Sequence, residues 1–188
     1  MDERKDFMFS RKDLQRLIIP LIVEQFLSIT IGMADTVMVS VCGEAAVSGV
    51  SLVDAINILM INIFSALATG GAIVSSQYIG REDLGKACEA AKQLVLAVFV
   101  LSTAIGAIFV FGGPQVLGLL YHDIEADVMA SAESYFFLTA LSYPFIALYN
   151  AGAALFRAMG NSKVSMTISI VMNCINIGGN ALFIFGFD

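Results

Sequence analysis

The chain has 188 residues, 58% of them hydrophobic and 14% charged, with a formal net charge of −6 and a mean hydropathy of +0.84. That apolar content excludes a water-soluble domain of this length, and the negative balance argues against nucleic acid as a partner. Long uncharged stretches recur, alternating strand patterns are absent, and about 20 apolar residues suffice to cross a hydrocarbon core of about 30 Å, so the composition implies an all-α integral membrane protein with the lipid bilayer as its surroundings.

Residues 1–13 are charged and open with MDERKDFMFS, which ends before any apolar run, so they read as a cytoplasmic segment rather than a cleavable signal peptide. Five hydrophobic segments follow, at about 14–41, 45–78, 87–111, 126–158 and 164–185. The second and fourth exceed what a bilayer requires, which suggests tilt or extension beyond the lipid; the others are ordinary in length.

The first segment carries two carboxylates, Glu24 and Asp35. A charged side chain at mid-membrane is disfavoured by roughly 2.5 to 3.5 kcal/mol, so one that persists there faces a wet cavity, a partner or a transported ion. Eleven residues make almost three helical turns, which puts Glu24 and Asp35 on one face with Ser28 between them. No Lys or Arg lies at the depth of Asp35, so its charge calls for a proton or a cation rather than a structural ion pair. Glu24 is nearer the inner end, and both substrate or ion contact and simple solvation stand open for it. Pro20, one turn before Glu24, cannot donate to the carbonyl of Arg16, which predicts a hinge.

In the second segment Asp54 and Asn57 read as interfacial, and Gly70, Gly71 and Gly80 as sites of close helix packing. The third is expected to stop at Gly112-Gly113-Pro114, with a short piece from Gln115 to Tyr121 along the outer interface. The fourth contains Pro144, a second candidate hinge that a packing kink explains equally well, with Ser142, Tyr143, Tyr149 and Asn150 available to freed backbone groups. Glu89 and Glu133 sit near segment ends and read as solvated. In the fifth, Asn173, Asn176 and Asn180 fall at i, i+3 and i+7 and share one face. Their amide oxygens are uncharged hard ligands for Na⁺, and the same amides can equally join helices to each other. Gly178 and Gly179 would admit a close neighbour at that level.

All ten Lys and Arg residues fall on one side when the five segments are threaded alternately: Arg4, Lys5, Arg11, Lys12 and Arg16, then Arg81, Lys86 and Lys92, then Arg157 and Lys163. That side reads as the cytoplasm. The loops around Glu44 and Asp123 carry none and read as external. Cys42, Cys88 and Cys174 are far apart and read as small packing residues, and His122 is the only histidine, so neither a disulfide framework nor a transition-metal site is indicated. No catalytic or phosphate-binding motif is present, and the chain does not read as an enzyme.

Several stretches together resemble the multidrug and toxic compound extrusion (MATE) transporters in their NorM-like and DinF-like bacterial branches. These are Pro20 followed by Asp35-Thr36 and Gly43-Glu44-Ala45-Ala46-Val47, then ALATGGAIVSSQYIGRED, LYNAGAALFRAMGNSK and NCINIGGNALFIFG. The resemblance covers the whole chain and implies an antiporter that exports amphipathic organic cations and drugs, driven by Na⁺ or H⁺ influx, in the cell membrane. It assigns the coupling cation to Asp35, Asn176 and Asn180, with Pro20 as the bending point of the first helix. Asn180 stands where some members have a second aspartate, which leaves one carboxylate in that set and the choice between Na⁺ and H⁺ open.

The resemblance also implies two lobes of six helices, so residues 14–188 correspond to five helices of an N-terminal lobe, with helix 6 and the C-terminal lobe as missing partners. Two other readings stand beside it: a non-transporting membrane scaffold or assembly fragment, and a lipid-linked oligosaccharide flippase of the same superfamily, whose cavity would be expected to carry arginine and lysine.

Overall fold

The computed structural model describes residues 11–122 and 124–185. The expectations that involve Arg4, Lys5 and Asp123 lie outside these residues. Five helices follow one another: α1 (Arg11–Val39), α2 (Glu44–Gly80), α3 (Leu84–Leu120), α4 (Ala126–Ala158) and α5 (Ser162–Phe185). All five are long and apolar enough to cross a membrane, and no strand forms among the described residues. The chain is therefore an all-α, multi-pass membrane protein. With backbone groups bonded within each helix, no amide is left to meet hydrocarbon unpaired.

Between α1 and α2 a single 3₁₀ turn, Ser40–Cys42, ends at Gly43 with φ of 100°, a backbone region that disfavours any residue bearing a Cβ. Between α2 and α3 the turn closes on Asp83, whose carboxylate accepts the Lys86 N–H at 3.1 Å and pairs with Lys86 Nζ at 3.1 Å. The backbone hydrogen bond first, then the side-chain bond and charge of Lys86, hold the Asp83 carboxyl below the ordinary aspartate value of 3.8. A carboxyl held low in the folded state stabilises it fully above the ordinary value and loses that contribution as pH falls through the lowered one. The hydrogen-exchange protection factor of the Lys86 amide should accordingly be level above about pH 4 and fall below it; a level value throughout would contradict the cap.

α2, α3 and α4 pack into a trio around two joined clusters of buried residues. In one, Phe64, Ala68 and Ala72 of α2 meet Leu94 and Val98 of α3 and Ala140, Tyr143, Ala147, Ala151 and Ala154 of α4. In the other, Val53, Ile56, Leu117, Ala132 and Phe136 come together. The buried positions of α4 recur every three or four residues from Val128 to Ala151, the spacing of one helix face. Most are alanine, which lets α4 lie close to both neighbours; small residues play this role between helices in lipid, where dispersion contacts rather than water exclusion drive packing. Gly49 and Gly106 make the closest backbone approaches. A Cβ on Gly49 would lie 2.8 Å from the Ala132 amide nitrogen, and one on Gly106 would lie 2.9 Å from the Ala140 carbonyl oxygen.

α1 and α5 form a separate pair, in contact chiefly with one another and leaning on the trio through α4. Both leave most of their apolar side chains exposed, Phe26, Met33 and Val37 on α1 and Ile175, Leu182 and Phe183 on α5 among them.

Three local expectations change. α3 does not stop at Gly112 but runs on to Leu120 as one helix that includes Pro114. Tertiary contacts override the helix-breaking residues there: Gly113 faces the Phe136 ring, Leu117 is fully buried, and the Tyr121 hydroxyl donates to the Leu52 carbonyl at 3.0 Å. Such packing outweighs propensity costs of about 1 kcal/mol for glycine and about 3 for proline. Of the glycines read as packing sites, Gly71 does face Leu94, whereas Gly70, Gly80, Gly178 and Gly179 meet nothing within 4 Å among the described residues. The three cysteines are exposed rather than packed. Asp54 and Asn57 lie ten and thirteen residues beyond the start of α2 at Glu44, about 15 and 20 Å along its axis at 1.5 Å per residue, and both hydrogen-bond to tyrosines of α4.

Candidate cation site

Asp35 sits one turn before the end of α1, where α1 and α5 cross beside α2 and α4. A cavity of about 320 Å³ opens there, lined by Asp35 and Thr36 of α1, Ser51 and Asp54 of α2, Tyr135 of α4, and Asn176 and Asn180 of α5, with Val39, Val47, Val50 and Ile184 as its apolar walls. The Asn180 amide donates to Asp35 Oδ1 at 2.7 Å and, over a longer 3.3 Å, to Asn176 Oδ1. One turn of α5 separates the two asparagines, so both carry their amides to the level of Asp35. Among the described residues the lining contains no lysine or arginine.

Opposite Asp35 stands a carboxylate that sequence reasoning left out of the site. Asp54 Oδ1 accepts from the Tyr135 hydroxyl at 3.0 Å and from the Asn57 amide at a long 3.5 Å. Asn57 is in turn held by the Tyr143 hydroxyl, which donates to its Oδ1 at 2.9 Å. Tyr143 is fully buried, with edge-on contacts to Phe64 at 5.7 Å and Phe109 at 6.0 Å between ring centroids. The hydrogen-bond chain thus runs from the core of the trio to the wall of the cavity. The signal in the sequence was depth: a carboxylate ten residues inside an apolar helix meets the same criterion that singled out Asp35.

The other residues singled out from the sequence lie elsewhere. Asn173 is not part of the cavity lining; its amide nitrogen is buried and has no hydrogen-bond partner among the described residues. Pro20 is buried within α1 and borders a groove shared with Lys12, Arg16 and Lys163. Pro144 lies within α4, which continues through it.

Glu24 belongs to a second polar cluster. The Tyr149 hydroxyl donates to Glu24 Oε1 at 3.2 Å and the Ser165 hydroxyl to Oε2 at 2.8 Å. Arg157 Nη1 lies 3.6 Å from Oε1 and donates to Ser165 Oγ at 3.4 Å. The cluster pins α1 to α4 and α5 at the end of the bundle where Lys12, Arg16 and Lys163 also gather. Removing Arg157 leaves a half-buried carboxylate without its cation. Arg157→Ala should therefore lower stability in detergent by about 1–3 kcal/mol, less than for a fully buried pair because water reaches both side chains. An unfolding midpoint unchanged from wild type would show that the pair does not fasten α1.

A MatE family model matches residues 20–182. The uncharacterized transporter YisQ of Bacillus subtilis (strain 168) is 32% identical over 168 residues, which are 89% of this chain and 36% of YisQ. A probable multidrug resistance protein NorM of Thermotoga maritima is 25% identical over 179 residues, 94% of this chain and 38% of that protein. The crystal structure of MATE in complex with MaD3S superposes with a TM-score of 0.87 at 19% identity, over 93% of this chain and 39% of that one. The chain thus spans well under half the length of each of these relatives. A family match through all five helices, on a fold shared with a solved MATE structure, means that the chain belongs to the MatE family.

Proposed function

We propose that this chain is part of the N-terminal lobe of a cation-coupled antiporter that exports amphipathic organic cations and drugs by alternating access, with the cavity at Asp35 as the place where the coupling Na⁺ or H⁺ binds. One observation carries the reading: a carboxylate on a helix long and apolar enough to cross a membrane, held on one oxygen by Asn180 at 2.7 Å, faces a cavity whose lining among the described residues has polar oxygens and no lysine or arginine. A carboxylate so placed calls for positive charge from beyond the described residues, and a coupling cation or proton supplies it. The same lining does not suit the flippase reading, which would want arginine and lysine.

Coupling follows from exclusion. A cation on Asp35 and the amide oxygens of Asn176 and Asn180 neutralises the site, and its loss leaves a charge that favours a wetter arrangement of α1 and α5. Because these two helices form a pair apart from the trio, they can shift together; Pro20 would supply the bend in α1. The N-terminus is assigned to the cytoplasm, since Arg11, Lys12, Arg16, Arg81, Lys86, Lys92, Arg157 and Lys163 all belong to that end of the threaded helices. Helix 6 and a second lobe would complete the substrate passage.

The test is efflux of a fluorescent lipophilic cation from cells that express the full-length protein. Asp35→Asn should abolish it with the protein still in the membrane, and undiminished efflux by that variant would refute the assignment.

A further inference from the structure

The cavity holds a second carboxylate in the same condition as the first. Both hydrogen bonds to Asp54 reach Oδ1, and the one to Asp35 reaches its Oδ1. Among the described residues neither Oδ2 accepts a hydrogen bond, and neither carboxylate has a Lys or Arg partner. Each aspartate is thus fastened by one oxygen, and both line one cavity, near enough for their charges to interact. Two like charges that line one cavity repel each other, and a cation or proton at each relieves that repulsion. Among the described residues, the titratable groups that face this space are Asp35 from α1, Asp54 from α2 and Tyr135 from α4, while α5 contributes the neutral Asn176, Asn180 and Ile184.

We propose that Asp54 is the second carboxylate of the cation site, so that each occupancy of the cavity takes up two monovalent positive charges, one on Asp35 and one on Asp54. This rests on the reading of the cavity as the coupling site. The two charges can be two protons, two Na⁺ ions or one of each, because every oxygen on offer, from carboxylate, amide or phenol, is a hard ligand. Asn180 fixes Asp35 from α5, whereas Tyr135 and Asn57 fix Asp54 from the trio. The two charges are therefore bound across the boundary between the α1–α5 pair and the trio, and occupancy draws those two bodies together. Tyr135 is a positioning residue here: its hydroxyl orients Asp54 and leaves Oδ2 toward the cation.

The experiment uses the full-length protein in liposomes, with ethidium as substrate, and follows initial efflux rate against the concentration of whichever cation, Na⁺ or H⁺, drives the wild type. The wild type should depend on that cation with a logarithmic slope near 2, and Asp54→Asn with a slope near 1. Asp54→Glu should restore a slope near 2, which separates charge from folding. Tyr135→Phe should keep that slope and raise the half-saturating cation concentration about 3- to 10-fold, so it reports on the site even if Asp54→Asn does not fold. A wild-type slope of 1, or an unchanged slope in Asp54→Asn, overturns the two-charge site. Loss of efflux in Asp35→Asn with no change in Asp54→Asn overturns only this inference, whereas intact efflux in Asp35→Asn removes the coupling site itself.

Discussion

Asp35→Asn in the full-length protein should reduce gradient-driven efflux at least about 100-fold, as expected when an interaction worth about 3 kcal/mol or more is removed from the coupled step, while binding of the organic cation at zero gradient persists. The substitution is close to isosteric and removes only charge and the capacity to bind a proton. Asn180 Nδ2, which donates to Asp35 Oδ1 at 2.7 Å, can still donate to the amide oxygen, so the α1–α5 contact survives. What disappears is the need for a cation: the neutral amide is as content in the closed arrangement empty as occupied. Steady-state uptake of ethidium into inverted vesicles, read beside a binding isotherm in detergent, separates these effects. A variant that lost binding and efflux together would place Asp35 in the substrate path instead.

The largest structural effect is expected at Gly49. Its missing Cβ would meet the Ala132 amide nitrogen at 2.8 Å and the Val128 carbonyl oxygen at 3.0 Å, both backbone atoms of α4, so no rotamer change can relieve the clash. Gly49→Ala must separate α2 from α4, at a cost of about 1–3 kcal/mol by the measure of overpacked cores, and Gly49→Leu should prevent recovery of monodisperse protein. Gly70→Ala serves as the contrast, because that glycine meets nothing within 4 Å, and it should be neutral or stabilising by up to about 1 kcal/mol through helix propensity. Equal thermal midpoints for Gly49→Ala and Gly70→Ala would contradict the packing described for α2 and α4.

The number, order and helical nature of the spans are legible in the sequence because lipid imposes one rule, an apolar run of sufficient length with its backbone bonded internally. Where α3 ends is not legible. Gly112, Gly113 and Pro114 are strong local stop signals, and the contacts that overrule them, with Phe136 and Leu52, come from residues 20 to 70 positions away along the chain. The same limit applies to the site. Helical spacing puts Asn176 and Asn180 on one face, and both reach the cavity, but it puts Asn173 there too, and Asn173, a turn nearer the start of α5, is not among the described lining residues. Asp54 reads as interfacial because it lies near the start of its apolar run, and Tyr135, whose hydroxyl donates to it, is 81 positions away. Tyr143 and Tyr149 read as partners for backbone groups freed near Pro144, and their hydroxyls hold Asn57 and Glu24 instead. Glu24 shows the converse: it stands out in sequence for the same reason as Asp35, yet Arg157 meets its charge from another helix.

The measurement that bears most directly on the coupling site at Asp35 is cation flux itself. In liposomes that contain the full-length protein, an outward ethidium gradient should draw ²²Na⁺ or protons inward through the wild type, and should draw neither through Asp35→Asn. Cation uptake by Asp35→Asn at the wild-type rate would mean that the driving ion binds elsewhere, and that the cavity between α1, α2, α4 and α5 is not the coupling site.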